Sequence, residues 1–108
     1  MKRYVLSKRQ FSAAPQDLFS AILNLQTIGE AEQFLLDLLT EEEVGEFARR
    51  WKAAELLYEG VPYSDIIAMT GLSSTTIARV SKFLKEGNGG YRLMLDRLHR
   101  NRLNPSYP

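Results

Sequence analysis

Residues 63–84, Tyr-Ser-Asp-Ile-Ile-Ala-Met-Thr-Gly-Leu-Ser-Ser-Thr-Thr-Ile-Ala-Arg-Val-Ser-Lys-Phe-Leu, have the spacing of a helix-turn-helix. Ser64 can cap a short first helix of one to two turns, and Gly71 can take the positive φ that ends it. Leu72 then plugs the corner, and Ser73 or Ser74 caps a second helix. That helix carries Ile77, Val80 and Leu84 at i, i+3 and i+7, a stripe that buries against the first helix. Its opposite side presents Ser74, Thr75, Thr76 and Arg79, short hydroxyls with one long cation, able to hydrogen-bond base edges and phosphates. Two short helices joined by Gly can also be no more than a structural corner, so charge and context must be weighed.

The formal net charge of +1 hides an uneven distribution. Residues 1–59 hold 7 Lys/Arg against 10 Asp/Glu, and residues 60–108 hold 7 Lys/Arg against Asp65, Glu86 and Asp96, so the halves carry −3 and +4. A basic second half suits attraction to phosphate, with Lys82 and Lys85 beside Arg79 and Ser64 opening the motif. An ordinary solvated face gives the same asymmetry.

A chain of 108 residues, 44% of them hydrophobic, fits one small domain that dimerisation would help to stabilise. It has no Cys and a single His, His99, which leaves no thiolate chemistry and no ordinary zinc constellation; no catalytic residue, metal or cofactor is expected. Its apolar runs are only a few residues long and Met-Lys-Arg-Tyr-Val-Leu is not a signal peptide, so no membrane association and a cytoplasmic location are expected. Gly87, Asn88, Gly89 and Gly90 lack the Lys-Ser/Thr that follows a phosphate loop and read as an interhelix turn.

Patterning along the chain predicts an all-α protein of six helices and no strands. Residues 1–14 read as a basic mobile arm, 15–100 as a single helical domain with the motif at 64–85, and 101–108 as a frayed tail. Pro15 suits the first turn of a helix running to about Leu25, with Leu18, Ile22 and Leu25 on one face. Thr27 and Glu30 form a capping box for a helix bearing Ala31, Phe34, Leu35 and Leu38, and Thr40 and Glu43 form a second. The latter opens the longest helix, striped by Val44, Phe47, Ala48, Trp51 and Tyr58 and ended by Gly60 before Pro62. Glu41, Glu42 and Glu43 in its first turn read as helix-dipole chemistry rather than a catalytic cluster. The last helix carries Tyr91, Met94, Leu95 and Leu98. Helices 28–39 and 41–59 are apolar enough to pack on more than one partner, which points to an intertwined dimer. A two-fold axis would set two reading helices about 34 Å apart, one turn of DNA.

From Leu39 to about Leu98 the chain resembles the tryptophan repressor, and more closely the Trp-repressor-like proteins of the YerC/YecD type. The resemblance rests on Leu-Leu-Asp-Leu-Leu-Thr-Glu-Glu-Glu (35–43), Arg49-Arg50-Trp51, Glu-Leu-Leu-Tyr-Glu-Gly (55–60) and, most specifically, Gly-Leu-Ser-Ser-Thr-Thr-Ile-Ala-Arg-Val-Ser-Lys-Phe-Leu (71–84). It implies an all-helical intertwined homodimer whose reading heads bind a palindromic operator in double-stranded DNA, as a sequence-specific transcriptional regulator, by expectation a repressor.

In the tryptophan-binding members a Thr, two Arg and a Gly hold the ligand between the reading helix and the partner subunit. The Thr corresponds to Thr40 and the Arg pair to Arg50 and Arg79, but Val80 stands at the Gly position. Its isopropyl group fills the indole's space, and forcing a ligand past it would cost about 1 to 3 kcal/mol of overpacking. Free tryptophan is therefore not expected as the main effector, which leaves constitutive binding or another small molecule. A second departure is Ile67, where most helix-turn-helix proteins place Ala; with no basic side chain on that helix, it leaves open a protein-interaction module that keeps the fold without operator binding.

Overall fold

The computed structural model describes residues 8–103, and all six elements among them are α-helices. They are α1 (Lys8–Leu23), α2 (Ile28–Leu38), α3 (Glu41–Tyr58), α4 (Tyr63–Thr70), α5 (Ser74–Glu86) and α6 (Gly90–Leu103). The chain divides into two compact units, with the boundary between Thr40 and Glu41.

In the first unit α1 starts at Lys8, not at Pro15, which lies inside the helix. Lys, Arg, Gln and Ala ahead of the proline are good helix formers, and their preference outweighs one missing backbone donor. Residues 8–14 of the expected arm are thus helical, and residues 1–7 lie outside the described residues. The helix stops at Leu23, two residues short of expectation, where the N–H groups of Asn24 and Leu25 turn back to Ala21 and Ile22 and the Asn24 side chain donates to the Ser20 carbonyl at 2.7 Å. Thr27 caps α2 by accepting from the Glu30 N–H at 3.0 Å, while the Glu30 carboxylate accepts from Gln26, one residue before the cap. No residue of α2 is buried, and Phe19, Ile22, Leu23, Ile28, Leu36 and Leu38 all lie exposed.

The second unit holds the core. Ala53, Ala54 and Leu56 of α3, Ile66 of α4, Leu72 of the turn, Ile77, Val80 and Leu84 of α5 and Leu95 of α6 pack as one buried cluster. Alanines at the centre of α3 remove bulk where α4 and α5 cross it, and Ile66 and Ile77 fill the junction with no exposed surface. Gly60, at φ 81°, ends α3 and lets the Val61 N–H close back on the Leu56 carbonyl.

The motif is set by four local devices. Pro62, not Ser64, occupies the N-cap of α4: its extended backbone directs its carbonyl to the Asp65 and Ile66 N–H groups, and Ser64 falls inside the first turn. Gly71 closes α4 at φ 74°, as its position requires. The Thr70 hydroxyl, buried in the turn, donates to the Ile66 carbonyl at 2.7 Å and accepts from the Leu72 N–H at 3.2 Å, which seats Leu72 in the core. Ser73 is the cap of α5, accepting from the Thr76 N–H at 3.1 Å. Ile67 does not wedge the two helices apart: Ile66 faces inward and Ile67 stays 37% exposed.

At the far end of α5 a Cβ on Gly87 would collide with the Phe83 carbonyl, so this position needs the residue without a side chain. α6 runs to Leu103, which makes the first residues of the expected frayed tail helical; 104–108 lie outside the described residues. Arg102 holds α6 to α3 through Glu55 at 3.2 Å and Glu59 at 3.4 Å.

Candidate nucleic-acid interface

The buried stripe of α5 fixes which way its other side faces. With Ile77, Val80, Ser81 and Leu84 inside, Ser74, Thr75, Arg79, Lys82 and Lys85 are exposed. Thr76 is half-buried and its hydroxyl lies 3.0 Å from that of Ser73, so it is engaged in the cap as well as standing on the first turn. The outward set therefore offers two free-standing hydroxyls and three cations along one helix, and Ser64 adds an exposed hydroxyl in the first turn of α4. Short hydroxyls near a helix N-terminus suit base edges and phosphates alike, and the cations further along suit phosphates.

Arg79 sits at the edge of this surface, with its guanidinium 6.0 Å from the centroid of the Phe83 ring one turn on. It also borders a cleft of about 200 Å³ between α3, α5 and α6. Glu46 and Arg50 come from α3, Thr76, Arg79, Val80 and Phe83 from α5, and Tyr91 from α6. Arg50, Arg79 and Val80 all line this cleft. Arg50 is paired within its own helix: its Nε lies 3.4 Å from Glu46, and its guanidinium sits 5.7 Å from the Phe47 centroid. Val80 is 3% exposed, a core residue that closes the bottom of the cleft.

Glu46 and Phe83 are cleft residues that helical patterning did not single out, and Tyr91, expected on the last helix, joins them there. Glu46 stands one turn before Arg50 on α3, and the crossing of α3 and α5 places that pair beside Arg79. Tyr91 stacks on Trp51 with centroids 6.2 Å apart, which turns both rings into a wall.

A short capped helix, a glycine turn and a second helix with its polar side outward define a helix-turn-helix protein. The Trp repressor protein family profile matches residues 14–99, and the chain belongs to that family. The match reaches further toward the N-terminus than the motifs that carry the resemblance in the sequence. The chain is 41% identical over 81 residues to the uncharacterized protein YerC of Bacillus subtilis, covering 75% of this chain and 78% of that one. The solved structure of a TrpR like protein from Eubacterium eligens superposes with a TM-score of 0.79 at 36% identity, over 86% of this chain and 96% of that chain. A Staphylococcus aureus structure does so with 0.77 at 38% identity, over 81% and 87%.

Proposed function

We propose that this chain is a sequence-specific DNA-binding transcriptional regulator that grips a palindromic operator as a homodimer. The observation that carries this reading is the outward side of α5, where Ser74, Thr75 and Arg79 stand exposed at its reading end, continued by Lys82 and Lys85. The rigid seat of α5, capped by Ser73 and anchored through Ile77 and Val80, supports it, because base readout needs side chains held on a fixed frame. The exposed apolar residues of α1 and α2 supply a surface for the second copy, and two-fold pairing would offer reading helices to successive major grooves.

Free tryptophan is not the main effector. Val80 is packed into the core at the position where an indole would need room, and Arg50 already shares a carboxylate with its own helix. Calorimetric titration with L-tryptophan tests this, and stoichiometric micromolar binding would overturn it.

The test of the regulator reading is selection of genomic fragments with the purified protein, then gel shifts over a salt series. Enrichment of a palindrome, bound at nanomolar protein and lost on Arg79→Ala, is the expected result. A well-folded dimer that enriches no fragment at any salt would overturn it in favour of a protein-interaction module.

A further inference from the structure

The asparagines of the chain, Asn24, Asn88, Asn101 and Asn104, differ in whether the next backbone nitrogen can reach their side chains. Asn24 donates its side-chain amide to the Ser20 carbonyl at 2.7 Å, and the N–H that follows it, on Leu25, is held by the Ile22 carbonyl at 3.1 Å. Asn101 lies inside α6, where the next N–H belongs to the helix ladder. Asn104 precedes Pro105, whose nitrogen carries no hydrogen. Asn88 has none of these restraints.

Asn88 stands in the 87–89 link between α5 and α6, exposed along with both its neighbours. Among the described residues no group bonds its side-chain amide, and none accepts the N–H of Gly89. The link is pinned only at its ends, where the Gly87 N–H meets the Phe83 carbonyl and the Gly89 carbonyl meets the Leu93 N–H, each at 2.9 Å. Between those two bonds no hydrogen bond restrains the rotation that brings the Gly89 nitrogen to the Asn88 side chain. Gly89 itself has no side chain, and no atom lies within 4 Å of the place where one would begin, so its nitrogen is unshielded. It holds φ 86°, a conformation that costs glycine little.

We propose that Asn88 is a site of spontaneous covalent modification, in which the Gly89 nitrogen attacks the carbonyl carbon of the Asn88 side chain. The N–Cγ bond forms, the Gly89 nitrogen gives its proton to solvent, and Nδ2 leaves as ammonia, which closes a succinimide ring. Water then opens the ring at either carbonyl, so no oxidant or reductant is needed. Opening at the side-chain carbonyl leaves aspartate. Opening at the main-chain carbonyl leaves isoaspartate, whose extra methylene lengthens the backbone between α5 and α6. Either product sets a new carboxylate just beyond Lys85, on the segment that carries Lys82 and Lys85 outward. A carboxylate there repels phosphate and offsets a neighbouring ammonium, so the modified protein holds DNA less tightly. That consequence rests on the regulator reading; the covalent change does not.

The full-length protein is aged in warm, mildly alkaline buffer, folded and in urea, and sampled by peptide mass spectrometry. Isoaspartate is assayed with an isoaspartate-specific carboxyl methyltransferase and labelled S-adenosylmethionine. In the folded protein Asn88 is expected to lose its amide at least about tenfold faster than Asn24 or Asn101, because those two must first break hydrogen bonds. Isoaspartate should be the major product, and Asn88→Ser should abolish the methyl-accepting product while leaving Tm unchanged. Equal rates at Asn24 or Asn101 overturn the proposal. So does an Asn88 that changes in urea but persists in the folded protein, or a product that is aspartate alone. For the consequence, freshly purified Asn88→Asp protein should bind the selected operator about two- to fivefold more weakly per subunit than the parent. Binding equal to the parent's overturns that consequence, and a parent that selects no DNA overturns the regulator reading while the covalent change stands.

Discussion

Tyr58 donates its phenolic hydrogen to Oδ1 of Asp96 over 2.7 Å, joining α3 to α6 across 38 positions of the chain. His99 meets the same ring edge-on with centroids 6.1 Å apart, and the Arg92 guanidinium lies 5.7 Å from its centre. One phenol thus gathers three side chains of α6 onto the helix that carries Glu46 and Arg50.

The Asp96 bond raises the Tyr58 phenol above its ordinary value of 10.0, helped by burial and by the Asp96 charge and opposed by Arg92. Folding therefore favours the neutral phenol. Its contribution is present below the unfolded value and is lost as pH rises through the folded one. Tyr58→Phe is expected to lower Tm by roughly 4 °C at pH 7, and the gap from the parent protein should shrink as the pH rises past the ordinary phenol value of 10.0. Thermal unfolding of both proteins across pH 7 to 11.5 checks it, and a gap that widens with pH would contradict the assignment.

Neighbouring serines at the start of α5 should separate stability from recognition. Ser73 accepts the Thr76 N–H, so Ser73→Ala should cost about 1 kcal/mol of stability. Ser74 is exposed and is not the cap, so Ser74→Ala should change stability by less than about 0.5 kcal/mol and weaken binding to the selected operator. Urea unfolding and gel shifts on the two variants measure both. A Ser74→Ala protein that binds like the parent would remove Ser74 from the interface.

What the sequence discloses follows periodicity and local chemistry. The α5 stripe, the Gly71 stop and the Leu72 plug are legible because each depends on neighbours a few positions away. Ser64 does not cap α4 because a serine hydroxyl and the carbonyl of an extended proline compete for the same orphan N–H groups, and here Pro62 wins. α1 starts ahead of Pro15 although a proline signals a helix opening more strongly than Lys-Arg-Gln signals a helix already under way. Contacts such as Tyr58 with Asp96, Trp51 with Tyr91 and Arg102 with Glu55 and Glu59 depend on how α6 crosses α3, and no spacing within either helix encodes that. Glu46 reached the cleft by the same route, through the crossing of α3 and α5.

Val80 is the residue on which the proposed absence of a tryptophan site in this chain rests. It is buried beside Ile77 and Leu84, so Val80→Ala should destabilise by about 2 kcal/mol, the lost methyl contacts plus the space left behind. The parent protein should show no heat with L-tryptophan, and the variant, with room reopened between Arg50 and Arg79, should bind it measurably. If both proteins stay silent, Val80 is not what bars the indole, and the Glu46 carboxylate on Arg50 becomes the residue to remove next.

On the proposed regulator reading, Thr75 and Lys85 belong to a reading end and a holding end of the outward side of α5. Thr75 stands exposed in the first turn with a hydroxyl and a methyl group, suited to a base edge, and Lys85 lies exposed in the last turn, where an ammonium suits a phosphate. Lys85→Ala should weaken binding to every sequence alike and lower the slope of log affinity against log salt by about 1 for each subunit. Thr75→Ala should leave that slope unchanged, cost about 1 to 3 kcal/mol on the selected operator, and spare non-specific DNA. Gel shifts on the operator and on a scrambled duplex, each at four salt concentrations, give all of these quantities. An equal loss on both duplexes for Thr75→Ala would mean that the first turn of α5 grips the backbone, and that base readout lies with Arg79 or with the first turn of α4.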